Sequence, residues 1–217
     1  MLFKKWLNQV RRLFGSSSSS RPQGRRNMSQ KKLPRLQLEF LEDRVVPAVL
    51  VVDTTSDAAD GNMSSIAALL ANKGADGHIS LREAILAANN TANGASPDVI
   101  HFNIGAGGVQ TITLASALPT ITDPVTIDAT TQPGFSGQPI IELRGDQAGA
   151  NVDGLSLSIG GTTVRGLVLD RFSRDGIRIT SSGPAGTTIA GNWIGLGLNG
   201  NEASMLNGLR RAQTANA

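Results

Sequence analysis

The feature that most limits how this chain can fold is an internal echo. Asp153-Gly154-Leu155-Ser156-Leu157 returns as Asp175-Gly176-Ile177-Arg178-Ile179, 22 residues later. Thr162-Thr163-Val164-Arg165-Gly166-Leu167-Val168-Leu169 returns as Thr187-Thr188-Ile189-Ala190-Gly191-Asn192-Trp193-Ile194, 25 residues later. The three extra residues fit an insertion around Ser181–Ala185, a turn by composition. A unit of strand, turn, strand, turn near 22 residues long is one coil of a parallel β-helix. Inward side chains of successive coils then stack about 4.8 Å apart. The echo predicts Leu155 under Ile177, Leu157 under Ile179 and Val164 under Ile189. Gly166 and Gly191 fall in one shared slot, a bend where a side chain would clash. An antiparallel sandwich also has short strands at close spacing. It does not repeat internally, so the double offset argues against it.

Other short β-rich runs carry turn residues between them. They are Val49–Val52, Val99–Ile104, Gln110–Leu114, Val125–Asp128 and Ile140–Leu143. With the echo itself they add Gly154–Leu157, Val164–Leu169, Gly176–Ile179 and Thr188–Ile194. The 25 glycines and the absence of Tyr suit many tight turns. They do not suit an aromatic surface for stacking bases or sugars.

Two helices are expected before the repeats. Ser64 or Ser65 caps a short one through Ile66, Leu69 and Leu70, ended by Gly74. Ser80-Leu81-Arg82-Glu83 is a capping box: the Ser80 hydroxyl takes the amide three residues on, and Glu83 reaches back to the Ser80 amide. Leu81, Ala84, Ile85 and Ala88 then share one face, and Asn89, Asn90 and Gly94 end the helix.

Charge separates a tail from a body. Residues 1–44 hold 11 Lys/Arg and 3 acids, whereas residues 45–217 hold 9 and 14. The isoelectric point of 9.8 therefore describes the tail. The body is acidic, so no nucleic-acid partner is expected for it. Leu2, Phe3, Trp6, Leu7, Val10, Leu13 and Phe14 alternate with Lys4, Lys5, Arg11 and Arg12 as a short basic amphipathic helix. It suits contact with a membrane surface or export machinery, or a tail that is helical only when bound. The Ser- and Arg-rich residues 15–30 are expected to be disordered. No Cys is present, which excludes disulfides, thiolate metal sites and a Cys nucleophile. No run of 18 apolar residues occurs.

Leu38, Glu39, Leu41, Glu42, Asp43, Arg44, Pro47 and Ala48 closely resemble the N-terminal motif of planctomycete extracellular proteins, in which a basic leader precedes a pattern like Leu-Glu-x-Leu-Glu-Asp-Arg-x-x-Pro-Ala. That resemblance implies export or display at the cell surface. Ser80-Leu81-Arg82-Glu83-Ala84, continuing to Asn89 and followed by Asp98–Phe102, resembles the CSLREA domain, with Ile79 where that motif carries its Cys. It covers about residues 49–104. CSLREA domains stand at the start of surface-associated right-handed β-helix proteins, which implies that hand and an α-helical cap on the first coil. Gly191-Asn192-Trp193-Ile194-Gly195, followed by Asn199-Gly200-Asn201, resembles the Gly-Asn-x-Ile-Gly…Gly-Asn signature of such repeats. The resemblance implies that Asn192 accepts and donates within its turn.

The same fold includes pectin-degrading hydrolases and lyases, so the chain's carboxylates and arginines are candidate catalytic groups. Asp153 and Asp175 would stack on adjacent coils, and Asp128 and Asp170 also end strands. Hydrolysis of a glycosidic bond needs two carboxyls about 5–10 Å apart. An Asp before Gly is, equally, a common turn pair. Arg165 and Arg178 are the candidate lyase bases. The His-Gly, Arg-x-Lys and Asp-Asp motifs of polysaccharide hydrolases are absent. His78 and His101 have no partner at a recognisable spacing, and Gly105–Gly108 lacks the helix that a phosphate loop requires. Asp57 and Asp60 lie in an Asp-rich turn that offers Ca²⁺ ligands without EF-hand spacing.

The expected fold is all-β: a short right-handed parallel β-helix of about four or five coils with an N-terminal α-helical cap. Residues 1–47 form a basic leader, Ser-rich linker and export-type motif, 48–104 the CSLREA-like cap and 105–217 the repeats. Charges around Arg210 and Arg211 interrupt the last expected coil, as in a truncated member of a longer family or a C-terminus altered by a frameshift. The expected role is structural, adhesive or carbohydrate-binding at the cell surface, with envelope polysaccharide as partner. No cofactor is expected beyond a possible Ca²⁺. The alternative is the N-terminal part of a polysaccharide lyase or hydrolase.

Overall fold

The computed structural model describes residues 47–180 and 186–201. The basic leader, the export-type residues Leu38–Arg44, the insertion at 181–185 and the segment around Arg210 lie outside the described residues.

The described chain is mostly strands in parallel sheets, with few helices. Strand β1 is Val49–Val52. Helices α1 (Ile66–Ala71) and α2 (Leu81–Asn89) follow. Then come β2 (Asp98–Phe102), β3 (Gln110–Thr113), β4 (Val125–Asp128) and β5 (Ile141–Arg144). Next are β6 (Leu155–Leu157), β7 (Thr163–Arg165) and β8 (Leu167–Asp170). The last are β9 (Ile177–Ile179), β10 (Thr188–Ala190) and β11 (Trp193–Ile194).

Three sheets receive these strands. The first has the order β1-β2-β4-β7-β10, the second β11-β8-β5-β3, and the third pairs β6 with β9. From β4 onward the chain visits them in turn: first, second, third, then again. All eight strand pairings are parallel.

Register places like residues on like. In the first sheet Leu50, Ile100, Ile127, Val164 and Ile189 are successive partners. In the second, Ile112, Leu143, Leu169 and Ile194 form a column. In the third, Leu155 pairs with Ile177 and Leu157 with Ile179, while Ile121 bridges to Leu157. All three pairs predicted from the echo are therefore present. Ile100, Ile127, Val164, Leu143, Leu169 and Leu157 are fully buried. At the last strands the columns open out, and Ile179 is 51% exposed.

Two expected strands are each divided in two. The run from Val164 to Leu169 breaks at Gly166, sending β7 to the first sheet and β8 to the second. Gly166 has φ +75°, and a Cβ there would lie 2.7 Å from Thr130 Cγ2. The left-handed conformation turns the chain, and the close approach excludes a side chain. Gly191, at φ +60°, divides β10 from β11 in the same slot.

Both helices begin where their caps predict. The Ser65 hydroxyl accepts from the Ala68 N–H at 3.1 Å, and α1 ends at Asn72 rather than running on to Gly74. The Ser80 hydroxyl accepts from the Glu83 N–H at 3.2 Å, while Glu83 Oε2 accepts from the Ser80 N–H at 2.9 Å. Leu81, Ala84, Ile85 and Ala88 are buried, as their spacing requires, and Ile79 fills the core at 1% exposure.

Candidate functional site

The residues of the Ser80–Ala84 motif do more than start a helix. Leu81 and Ala84 anchor α2 in the core. Glu83, 1% exposed, accepts not only from Ser80 but also from the N–H groups of Asp60 and Gly61, at 2.9 and 2.7 Å. The Ser80 hydroxyl donates to the Ala58 carbonyl at 2.5 Å. Arg82 grips Asp57 with both arms of its fork, at 3.0 and 2.7 Å. It also donates to the carbonyls of Ser116 and Ala117, at 3.0 and 2.7 Å.

Asp57 in turn accepts from the Ala115 N–H at 2.9 Å. The Asn89 amide bridges Thr120 and Thr122, donating to the first and accepting from the second. Asn93 donates to the Pro124 carbonyl at 2.7 Å and accepts from the Asp98 N–H. Together Asp57, Arg82, Asn89 and Asn93 satisfy backbone groups of residues 115–124 that no described strand pairs on that side. An open row of such groups is a template for unwanted pairing, and side chains here occupy it.

This geometry also places the two Ca²⁺ candidates. Both Asp57 oxygens are taken up by Arg82 and the Ala115 N–H. Asp60 Oδ2 accepts from Ala75 at 2.7 Å. The described residues contain no group of three or more His, Cys, Asp or Glu arranged to hold a metal ion.

The catalytic candidates fall in three separate places, one for each sheet. Asp153 and Asp175 are neighbours, as their offset implies: Asp153 Oδ1 accepts from the Asp175 N–H at 3.1 Å and lies 3.6 Å from Arg174 Nε. Arg178 is partly buried on β9, in register with Ser156. Asp128 is elsewhere, on the outer face of the first sheet. It binds Arg165 at 2.5 Å and the Thr130 hydroxyl at 2.6 Å. Burial pushes its carboxyl up, but the bonds from Arg165 and Thr130 outweigh this and hold it below the usual carboxylate range. His78 Nδ1 lies 3.5 Å from Asp53 Oδ1. His101 is on the outer face of β2, in register with Asp128.

Asp170 has the most altered chemistry. It ends β8 on the outer face of the second sheet, and its side chain has no solvent exposure. No N–H or hydroxyl donates to either of its oxygens. Glu142 on the neighbouring strand β5 lies on the same outer face, two residues along in register, and already accepts from Thr111. Burial first, and the Glu142 charge second, raise Asp170 to about 7. The Thr111 hydroxyl on β3 donates to Glu142 at 2.6 Å. Arg144 binds Asp146 at 3.0 and 2.6 Å, and Arg171 Nε lies 3.5 Å from Asp170.

Glu142 was not among the sequence candidates. Aligning Ile141–Arg144 with Leu167–Asp170, the pairing seen here, would have placed the two acids on one face. Asn192 was a candidate, but its amide works across rather than within its turn. It accepts from Leu167 N–H and donates to the Val164 carbonyl, both at 2.9 Å, around the preceding bend. Gln132 makes the same two-way bond to Ile104, at 2.8 and 2.9 Å. Ile194 pairs with Leu169, and the Gly195 N–H donates to the Leu169 carbonyl.

No family model matches the chain, and no curated protein or solved structure matches it. Among the described residues no helix is long and apolar enough to cross a membrane.

Proposed function

We propose that this chain is an exported, cell-surface scaffold: a short right-handed parallel β-helix whose outer faces make structural or adhesive contacts, including contacts with envelope carbohydrate. The repeated visit to three parallel sheets supports the winding. The general preference of parallel crossovers supports the right hand. The resemblances at Leu38–Ala48 and Ser80–Asn89 support export and the helical cap.

One observation carries the choice of scaffold over enzyme. Each acidic residue in a described strand, Asp98, Asp128, Glu142 and Asp170, is more than nine-tenths buried. Asp98 spends its carboxyl on Ala48, Asp128 on Arg165 and Glu142 on Thr111, while Asp170 is sealed from solvent. An acid that must protonate a glycosidic oxygen has to reach it. These cannot.

The adjacency of Asp153 and Asp175, with Arg174 and Arg178 close by in sequence, favours a second reading: part of a polysaccharide lyase or hydrolase. Two measurements separate the readings. Surface shaving of intact source cells with protease should release epitopes from residues 49–201, and a glycan array with and without Ca²⁺ should show retention without turnover. Reducing-end release or unsaturated product that disappears in Asp153→Ala and Asp175→Ala would replace the scaffold with the enzyme. Purely intracellular epitopes would end the proposal.

A further inference from the structure

The acids on the outer face of the second sheet carry an inference beyond a scaffold. We propose that the buried Asp170 carboxyl, beside Glu142 on the same face, is a proton-operated latch: while Asp170 is protonated it holds β11 and the turn at 195–201 against the second sheet, and loss of that proton releases them.

The charge balance of the cluster supports this. Among the described residues, the charged groups facing the pair are Arg144 on β5, Asp146 just after it and Arg171 just after β8. Thr111 on β3 adds a hydroxyl, already donated to Glu142. From the other side come Trp193, Ile194 and residues 195–201, none of which titrates. Among the described residues three carboxyls therefore face two guanidiniums. One bound proton makes that cluster neutral. Its loss leaves one uncompensated negative charge beside a side chain that water does not reach. Arg144 is committed to Asp146, and Arg171 Nε, which makes no hydrogen bond, stands back at 3.5 Å from Asp170, while Arg171 Nη1 is 3.9 Å from Asp146.

The weakest cover over Asp170 is the part that would move. A Cβ on Gly197 would lie 3.6 Å from Asp170 Oδ2, so the 195–201 turn passes directly over the acid. That turn is closed on itself by the bonds Gly197 N–H to Asn201 O and Gly200 N–H to Gly197 O, so it can lift as a unit. Strand β11 is two residues long and, among the described strands, pairs on one side only, with β8. Strands β5 and β8 are held from both sides. The relief of repulsion therefore goes to β11 and the turn, as an equilibrium between two states that the proton biases.

Trp193 in β11 reports the movement, since the Cβ position of Gly200 lies 3.9 Å from its ring. The other tryptophan, Trp6, is removed by Trp6→Phe. In that background the Trp193 emission maximum and acrylamide quenching are followed from about pH 5 to about pH 9, with far-ultraviolet circular dichroism in parallel. The expected result is one reversible red shift with a midpoint near 7 and unchanged strand signal. Asp170→Asn leaves two carboxylates facing two guanidiniums, so it should hold Trp193 in its acid-form state across the range. Glu142→Gln should do the same, and carries the test alone if Asp170→Asn fails to fold. A transition that persists in the folded variants, or no transition in the parent, overturns the latch.

Discussion

Replacing Arg82 by Ala should be among the most damaging single changes outside the apolar core. The side chain is 14% exposed and its partner Asp57 8%. The substitution removes a two-armed bond to a buried carboxylate and two bonds to the carbonyls of Ser116 and Ala117. Deleting one partner of a buried ion pair costs about 3–5 kcal/mol. The lower end applies here. Asp57 keeps the Ala115 N–H, and water can reach Ser116 and Ala117, which are exposed. The expected loss is about 3 kcal/mol, or roughly 6–12 °C in Tm for a body of this size.

Arg82→Lys retains the charge without the fork and should lose about half as much. The decisive measurement is a double-mutant cycle with Asp57→Ala, followed by urea unfolding at 25 °C. The paired change should lose little more than Arg82→Ala alone, giving a coupling of at least about 1.5 kcal/mol. Additive losses, with coupling under about 0.5 kcal/mol, would show that the fork does not hold the 57–61 loop to the 115–117 segment.

Three further outcomes are expected. Leu157→Ala should cost about 3 kcal/mol in the same unfolding assay, because Leu157 is fully buried between Ile121 and Ile179, whereas Ile179→Ala at 51% exposure should cost under about 1 kcal/mol. Gly166→Ala should lose about 2–3 kcal/mol, from a left-handed residue plus contact with Thr130, against about 1 kcal/mol for Gly191→Ala, whose Cβ would meet nothing within 4 Å. Asp128 stabilises the fold above its ordinary value of 3.8, because its folded carboxyl is held lower, and that contribution is lost as pH falls through the folded value. Asp128→Asn should therefore be less stable than the parent near neutrality, and the two unfolding curves should converge in acid.

The architecture was legible to the extent that it repeats. Residues 153–194 carry their own register, so the partners of Leu155, Leu157 and Val164 could be named from the offsets. Earlier strands could not be aligned that way. Successive strands of the first sheet are 27, then 37, then 25 residues apart (Val99 to Thr126, Thr126 to Thr163, Thr163 to Thr188), and irregular turns hide the period. That is why Glu142 went unnoticed beside Asp170. The capping box was local and therefore readable. The reach of Arg82 to Ser116 and Ala117, and of Asn89 to Thr120, spans more than 30 residues and leaves no local signature. The division of Val164–Leu169 at Gly166 was half visible, since the shared glycine marked a bend but not a change of sheet.

The side chains of α2 and its neighbours that stand along residues 115–124 act as a guard on that border. A strand from another molecule meets peptide groups of Ala115, Ser116, Ala117, Thr120, Thr122 and Pro124 that are already bonded, so pairing there is opposed. Synthesis favours the same protection. Asp57, Arg82, Asn89 and Asn93 leave the ribosome before residues 115–124 do, so the vulnerable border is born with its occupants already waiting.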